Sequence, residues 1–473
     1  MSLASAINTA QTIFTNTGQQ TAVVSKNIAN SSNGDYVRRL AMMGVNSEGQ
    51  YYVKIQRAQD DALFKQTISS ISQSSAQSRL LDGLQTIQSV FGGDEYPSSP
   101  SNYLATFRSS LQTYAASPGN ITIASSTVAD AKDLANSIST SATAVQEVRA
   151  DADKEILEQV GTLNELLSKF ETINNQIVGA LATGADASDA LDQRDKLLKS
   201  MAEIVGISTV TRSNMDTVIY SADGTVLFET IPRNVTFTPT SNYDATVTGN
   251  PILVDGIAIK AGTGGNTSAE GTLASLLQLR DDLAPKIQSQ LDEMARGLVT
   301  MFQENGAPGL FVWSGTTVPA AGTITAGIAS SLAVNPAAEA DPTTLRDGTV
   351  NGGASSNPTA SSGYTELLDS YIVAMDTPMS FDTAADLGGT ATIMTYASSS
   401  IGWLEQLRKS ATTADENKSV MLAQTQQALS NATGVSLDEE LALMLDLEQS
   451  YKASAKLLST VDEMLTTLLD SVR

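Results

Sequence analysis

Apolar and small side chains recur at alternating steps of four and three through the first 28 residues: Leu3, Ile7, Ala10, Phe14, Thr17, Thr21, Val24 and Ile28. A mean step of 3.5 residues keeps one narrow stripe of a helix turned toward a partner, so this spacing predicts coiled-coil packing. The pattern stops near Asn30, where Asn-Ser-Ser-Asn-Gly-Asp supplies turn chemistry. The far end repeats it in Leu437, Leu441, Met444, Leu447, Tyr451, Ser454, Leu458, Val461, Leu465, Leu468 and Val472. Gly434 closes the preceding segment, and Ser436 with Glu439 fits a capping box that opens a last helix. That helix would run roughly 55 Å at 1.5 Å per residue. Neither terminal helix has an apolar face broad enough to form a core alone, so each needs a partner.

The charges of the two ends are opposite. Residues 1–57 hold five basic side chains (Lys26, Arg38, Arg39, Lys54, Arg57) against Asp35 and Glu48, whereas 436–473 hold eight acidic ones against Lys452, Lys456 and Arg473. This favours the two ends meeting, although exposed charges contribute weakly.

Between the ends, Ile156, Val160, Leu163, Leu167, Phe170, Ile177 and Leu181 form a helical stripe interrupted by Asn174, and a further helix is expected over about 187–204. From Ile207 to about Lys260 the chain is rich in Val, Ile, Thr and Tyr. Turn signals at Asp223-Gly224, Gly249-Asn250-Pro251 and Asp255-Gly256 predict antiparallel strands and hairpins there. Helix returns over 271–304, bent or restarted at Pro285. Residues 306–362, rich in Gly, Ala, Ser, Thr and Pro, read as a loop-rich or small irregular β insertion. Helix resumes from about Tyr364 to Ser430, broken near Pro378 and Gly388-Gly389.

Composition narrows the function. Without Cys or His, the chain has no disulfide framework, no thiolate or imidazole metal ligand, and no Ser-His-Asp triad. A net charge of −23, from 28 basic against 51 acidic residues, speaks against nucleic acid or an anionic membrane as partner. No apolar run approaches a membrane span, and no secretory signal is visible, since the first basic residue is Lys26. The densest charged cluster, Asp189, Asp192, Arg194 and Asp195, is read as salt bridges and capping at a helix-to-domain junction rather than a cation or acid–base site. Asp151, Asp153 and Glu155 have calcium-loop spacing but lack the Gly and terminal Glu of an EF-hand. Trp313 and Trp403 are taken as packing residues. No catalytic, cofactor-binding or metal-binding residue is expected, and the chain is read as not an enzyme.

Asn27-Ile28-Ala29-Asn30, followed after five residues by Tyr36, resembles the asparagine-rich signature of bacterial flagellar rod, hook and hook-associated proteins. That family usually has Thr-Pro-Gly before the Tyr, where this chain has Asn33-Gly34-Asp35. The runs from Gly434 to Glu440, Tyr451 to Lys456 and Ser459 to Leu465 resemble the family's last helix. Two internal segments, Leu191–Leu197 leading into Val205-Gly206-Ile207, and Gly271–Asp281, are similar to the hook-associated protein 1 (FlgK) family in particular.

The resemblance implies a mainly α fold with a β-rich central domain: an elongated, nested, multidomain rod. Its terminal helices pair as a coiled coil (1–57 with 432–473), and the middle is a helical bundle (58–206, 271–305 and 363–431). An antiparallel β outer domain spans 207–270, and 306–362 is an insertion. It implies a structural adaptor at the hook–filament junction of the flagellum, extracellular, exported by the flagellar type III apparatus without a cleaved signal peptide. The implied partners are other copies in a helical tier, hook protein, hook-associated protein 3, and an export chaperone on the C-terminal helix. Assembly residues are expected along the two seams, with Asn27, Asn30 and Tyr36 of the signature. Another axial subunit, hook protein or hook-associated protein 3, is the alternative, against which the two internal segments speak. A wall-cleaving hydrolase would need a cleft with a carboxylate acid, and nothing in the sequence marks one.

Overall fold

The computed structural model describes residues 3–45 and 51–470, with side chains in the terminal helices described from Ile7 and up to Thr467. Helix α1 (Leu3–Ala29) leads into an antiparallel hairpin, β1 (Arg39–Val45) and β2 (Tyr51–Arg57). Four helices follow: α2 (Asp61–Val90), α3 (Pro100–Ala116), α4 (Ile121–Ala182) and α5 (Ser188–Ile204). One antiparallel sheet is formed by β3 (Ile207–Thr211), β4 (Thr217–Ser221) and β5 (Val226–Phe228), a second by β6 (Val235–Thr236), β7 (Leu253–Val254) and β8 (Ile257–Ala258). Helices α6 (Thr272–Gln278) and α7 (Ala284–Met301) come next. The segment beyond holds β9 (Phe311–Val312) paired with β10 (Ala333–Val334), and the short helices α8 (Pro336–Ala340) and α9 (Thr343–Asp347). After α10 (Glu366–Asp376), β11 (Met379–Ser380) pairs with β12 (Thr390–Ala391). Helices α11 (Ile393–Thr433) and α12 (Leu437–Asp470) complete the order. The fold is mainly α with small antiparallel sheets, and among the described residues no helix is long and apolar enough to cross a membrane.

The chain divides into two compact units. The first comprises Met1–Ser72, Leu163–Arg233 and Ser419–Arg473; the second comprises Gln73–Thr162 and Asn234–Lys418. The stretch 207–270 is therefore shared, with β3–β5 in the first unit and β6–β8 in the second. Buried charge explains why the later part joins the second unit. Asp153 on α4 accepts hydrogen bonds from Tyr243 Oη (2.7 Å), the Thr240 backbone N–H (2.7 Å) and Arg280 (2.6 Å). Arg149, one turn earlier, donates to the carbonyls of Asp244 and Val247. Two of the three carboxylates with calcium-loop spacing are thus spent on structure: Asp153 on these contacts, Glu155 on Arg79, while Asp151 is exposed.

The second unit has a continuous apolar core from Leu80 to Ala411, with Phe107, Phe302 and Phe311 in mutual ring contact, and Trp313 and Trp403 packed at its edge. Pro285 does not break the helix. The turn before it, Leu279–Leu283, widens into a π-helix, and the Ala284 N–H bonds the Leu279 carbonyl five residues back, which accommodates a residue with no N–H to give. In the first unit, the Asn174 that interrupts the α4 stripe is buried. Its side chain donates to Asp216 and accepts the Thr217 N–H, fixing the turn into β4.

Two elements carry weak sequence signals. In α2 the enclosed positions include Thr67, Ser70 and Ser72 in the first unit and Gln77 in the second, which dilutes the apolar period that Leu80, Leu84 and Ile87 keep at its end. The hairpin β1–β2 holds seven paired residues a side, from Arg39↔Arg57 to Val45↔Tyr51, between segments that read only as terminal helix and turn.

Candidate assembly site

Helices α1 and α12 of the same chain pack on each other along the two seams, whereas the expectation for these residues is packing between copies. Ala10, Thr17 and Val24 on α1 and Leu447, Ser454 and Val461 on α12 are buried, each set at strict seven-residue spacing. Ile7, Thr21, Ile28, Met444, Leu458 and Leu465 are half-buried beside them. Phe14 and Tyr451 keep exposed edges, but their rings meet at 4.6 Å. Ala10, Thr17 and Ser454 are small, which lets the two backbones approach closely. The side chains of Leu3 and Leu468 lie outside the described residues. Two expected positions depart from the seam: Leu437 and Leu441 face solvent, because Glu440 occupies the buried position at that level of α12.

Glu440 is fully enclosed, yet every contact there is satisfied. Asn27 is the hub. Its Oδ1 accepts from Tyr36 Oη (2.8 Å) and the Arg39 N–H (3.0 Å), while its Nδ2 donates to the Arg39 carbonyl (2.9 Å) and Glu440 Oε2 (3.0 Å). Two donors and two acceptors are all the hydrogen bonds an amide of this size can make, and they fix its orientation. Arg38 bonds the other oxygen of Glu440 at 2.6 Å and Glu439 at 2.7 Å, and its N–H reaches the Thr433 carbonyl. Asn30 closes the end of α1 by donating to the Lys26 carbonyl. The Asn27-to-Tyr36 spacing is thus a direct side-chain contact, and the unusual turn before Tyr36 is held by Asp35, which pairs with Lys196 and Lys199 on α5. Burial pushes the Asp35 carboxyl up, but those two ammonium groups more than offset it, so it ionises below the ordinary range. Burial drives the Tyr36 phenol up to about 12, so it remains a donor.

The carboxylate cluster on α5 meets the basic N-terminal segment. Arg39 bonds Asp192 at 2.5 Å and Asp189 at 3.1 Å; Arg57 bonds Asp192 at 2.8 Å and also Asp195; Lys26 holds Asp189 at 2.7 Å. The Lys26 ammonium keeps the Asp189 carboxyl below its usual range, against the effect of burial. Deep burial raises that of Asp195 despite Arg57. Among the described residues, the opposite charges of the two chain ends therefore meet only through Arg38. Lys26, Arg39 and Arg57 turn instead to α5, whose carboxylates present a bidentate target at the base of the hairpin. Among the described residues no group of three or more carboxylates could hold a metal ion.

The site also has an uncovered side. Ile13 on α1 and Leu443, Leu457 and Met464 on α12 are exposed large apolar residues beside the seams, the last three on one seven-residue period. Sequence reasoning missed them because a strict four–three count passes over neighbouring positions. On the hairpin, Met42, Met43, Val45, Tyr51, Tyr52 and Ile55 are exposed as well. No strict alternation marks them, since Met42-Met43 and Tyr51-Tyr52 are adjacent pairs that fall on both faces of the hairpin.

A family model described as the flagellar hook-associated protein FlgK helical domain matches residues 84–317, and one described as the flagellar basal body rod FlgEFG protein C-terminal region matches 425–471. The first of these takes in just under half of the chain, and over that segment the chain is similar to the flagellar hook-associated protein FlgK family. It is 24% identical over 374 residues to flagellar hook-associated protein 1 of Bacillus subtilis, covering 71% of this chain and 68% of that one. Against the Salmonella typhimurium protein of the same name the identity is 24% over 303 residues, 60% of this chain and 53% of that one. The chain thus spans about two thirds of the first relative and about half of the second. In fold it is similar to the flagellar hook junction protein FlgK from Burkholderia pseudomallei, with a TM-score of 0.57 and 13% identity over 77% of this chain and 99% of that one. The C-terminal match is to a model of rod proteins, whereas the helical-domain match, from the end of α2 through β9, is to a FlgK model.

Proposed function

We propose that this chain is a structural subunit that polymerises as a short helical tier at the hook–filament junction of the bacterial flagellum and joins hook to filament. Similarity to the FlgK family supports a place in the flagellar axis in association with hook and other axial proteins, and a structural rather than a catalytic role. One observation on this chain carries the reading further. Fifteen of the twenty-four exposed large apolar side chains among the described residues fall within 13–55 and 437–464. Apolar surface gathered on one part of a chain and left uncovered marks an interaction site. The seam residues join α1 to α12, and the stripe beside them, Ile13 with Leu443, Leu457 and Met464, packs on neighbouring copies. In this reading the next junction partner is hook-associated protein 3, hook protein lies on the other side, and an export chaperone holds the C-terminal helix before secretion.

Deleting the gene in its host tests the reading. The expected cells are non-motile, bear bare hooks, and shed unassembled flagellin into the medium. Normal filaments on the deletion strain would overturn it.

A further inference from the structure

The hairpin is anchored at its base and uncovered toward its tip. Arg39 and Arg57, opposite one another at the base, are buried against Asp192. From there the cross-strand pairs Ala41↔Ile55, Met43↔Val53 and Val45↔Tyr51 share one face, since directly paired residues point to the same side of a sheet. All six are apolar, and Met43, Val45 and Tyr51 are 50%, 57% and 58% exposed. The other face is mixed: Gln56 and Lys54 lie opposite Leu40 and Met42, and Gly44 opposite Tyr52, with Met42 and Tyr52 exposed. Both strands are edges of a two-stranded sheet, so nothing else in the sheet covers them. An apolar face of this kind, left uncovered on a hairpin seated by buried ion pairs, is built for a partner.

We infer that this hairpin face docks on the exposed α12 stripe of a second copy of the chain, Leu443, Leu457 and Met464. The inference rests on the assembly reading above and names one of its contacts. Both surfaces are apolar and uncovered in the folded chain, so neither is satisfied within its own copy. Their charges are complementary. Lys54 on the hairpin is exposed and has no ion pair among the described residues, while α12 carries Asp446, one turn from Leu443, and Asp462 and Glu463 beside Met464, also without ion pairs there. Two different patches that fit each other on identical subunits form a heterologous contact, which propagates into rings or helices rather than closing as a dimer. The hairpin also touches the seam, since Asn16 of α1 donates to the Tyr51 carbonyl, so a copy docked there continues the α1–α12 packing.

The chain has no cysteine, so introduced thiols report without background. Two double variants, Met43→Cys with Leu457→Cys and Tyr51→Cys with Leu443→Cys, are expressed in the deletion strain. Hook particles from those cells are treated with a short bis-maleimide. A ladder of covalent dimers, trimers and higher species is expected from either double variant, and none from the four single variants. Particles that carry both double variants yet release only monomer would overturn the docking while leaving the junction role intact; absence of even the wild-type chain from the particles would overturn both. As a second arm, Val45→Asp is expected to lose the ability to restore filaments, with its circular dichroism unchanged, whereas Val373→Asp, at an equally exposed valine of the second unit, restores them. Filaments restored equally by both would also count against the contact.

Discussion

At the scale of single residues, the node around Asn27 shows how a short motif becomes a structural necessity. Four hydrogen bonds converge on one buried amide, and three of its partners, Tyr36 Oη, the Arg39 N–H and the Glu440 carboxylate, have little access to water. Asn27→Ala leaves them unsatisfied, and a loss of about 2–4 kcal/mol is expected in urea unfolding of the first unit. Asn27→Asp should be no milder, because it places a carboxylate against Glu440. In the second unit Asp292 sets a pH dependence. Burial lifts its carboxyl from 3.8 to about 6, although it accepts N–H groups from Gly327 and Ala329 and the amide of Gln288. A folded-state value above the unfolded one means that this group's contribution is fully present below about 3.8 and is lost as pH rises through about 6. A displacement of that size corresponds to about 3 kcal/mol. Asp292→Asn should therefore flatten the stability curve between about pH 4 and 7 by that order. Urea midpoints followed by the fluorescence of Trp313 and Trp403, both packed on that unit's core, measure it.

At the scale of elements, seam and stripe should separate cleanly. Val24→Ala removes buried packing between α1 and α12 and should cost about 1–2 kcal/mol, measured by thermal unfolding. Leu443→Ala, at an exposed position, should change the stability of the isolated chain by less than about 0.5 kcal/mol yet reduce assembly into junction particles. A stability loss from Leu443→Ala as large as that of Val24→Ala would mean the stripe is already covered. The turn before β7 has a different constraint. A Cβ at Gly249 would come within 2.4 Å of the Arg280 guanidinium, which Asp153, Asp281 and the Asn250 carbonyl hold in place. Since the arginine has no room to move, Gly249→Ala should destabilise the second unit by about 1–3 kcal/mol in the same fluorescence assay.

At the scale of the whole molecule, a charge of −23 opposes the association that the apolar ends favour. Copies brought side by side repel at long range, whereas the apolar contacts act only on touching. Raising salt from about 0.05 to 0.5 M shortens the screening length several-fold, so purified chain should sediment as larger species at the higher salt. Association that instead weakened with salt would mean that ion pairs, rather than apolar faces, dominate the contact.

The sequence by itself determined the terminal seams, the C-terminal cap, the central helix stripe, the β-rich change of period after Ile207, and the exclusion of cysteine and histidine chemistry. These are periodic or compositional facts, and a helix or strand with one buried side writes its period into the chain. It also marked Asn27 and Tyr36 as a motif and Asp189–Asp195 as a junction, without saying that Arg39 and Arg57 would answer those carboxylates. Only the tertiary structure decided that, because which cation meets which anion depends on contacts more than 130 residues apart. It likewise decided that Glu440 rather than Leu441 would be enclosed, because Asn27 and Arg38 are there to satisfy the charge. It also enclosed Thr67, Ser70, Ser72 and Gln77 of α2, polar residues buried by neighbours that no local period reveals. And it built from residues 39–57 a hairpin whose apolar face is left open, since exposure belongs to the folded surface and not to any one residue.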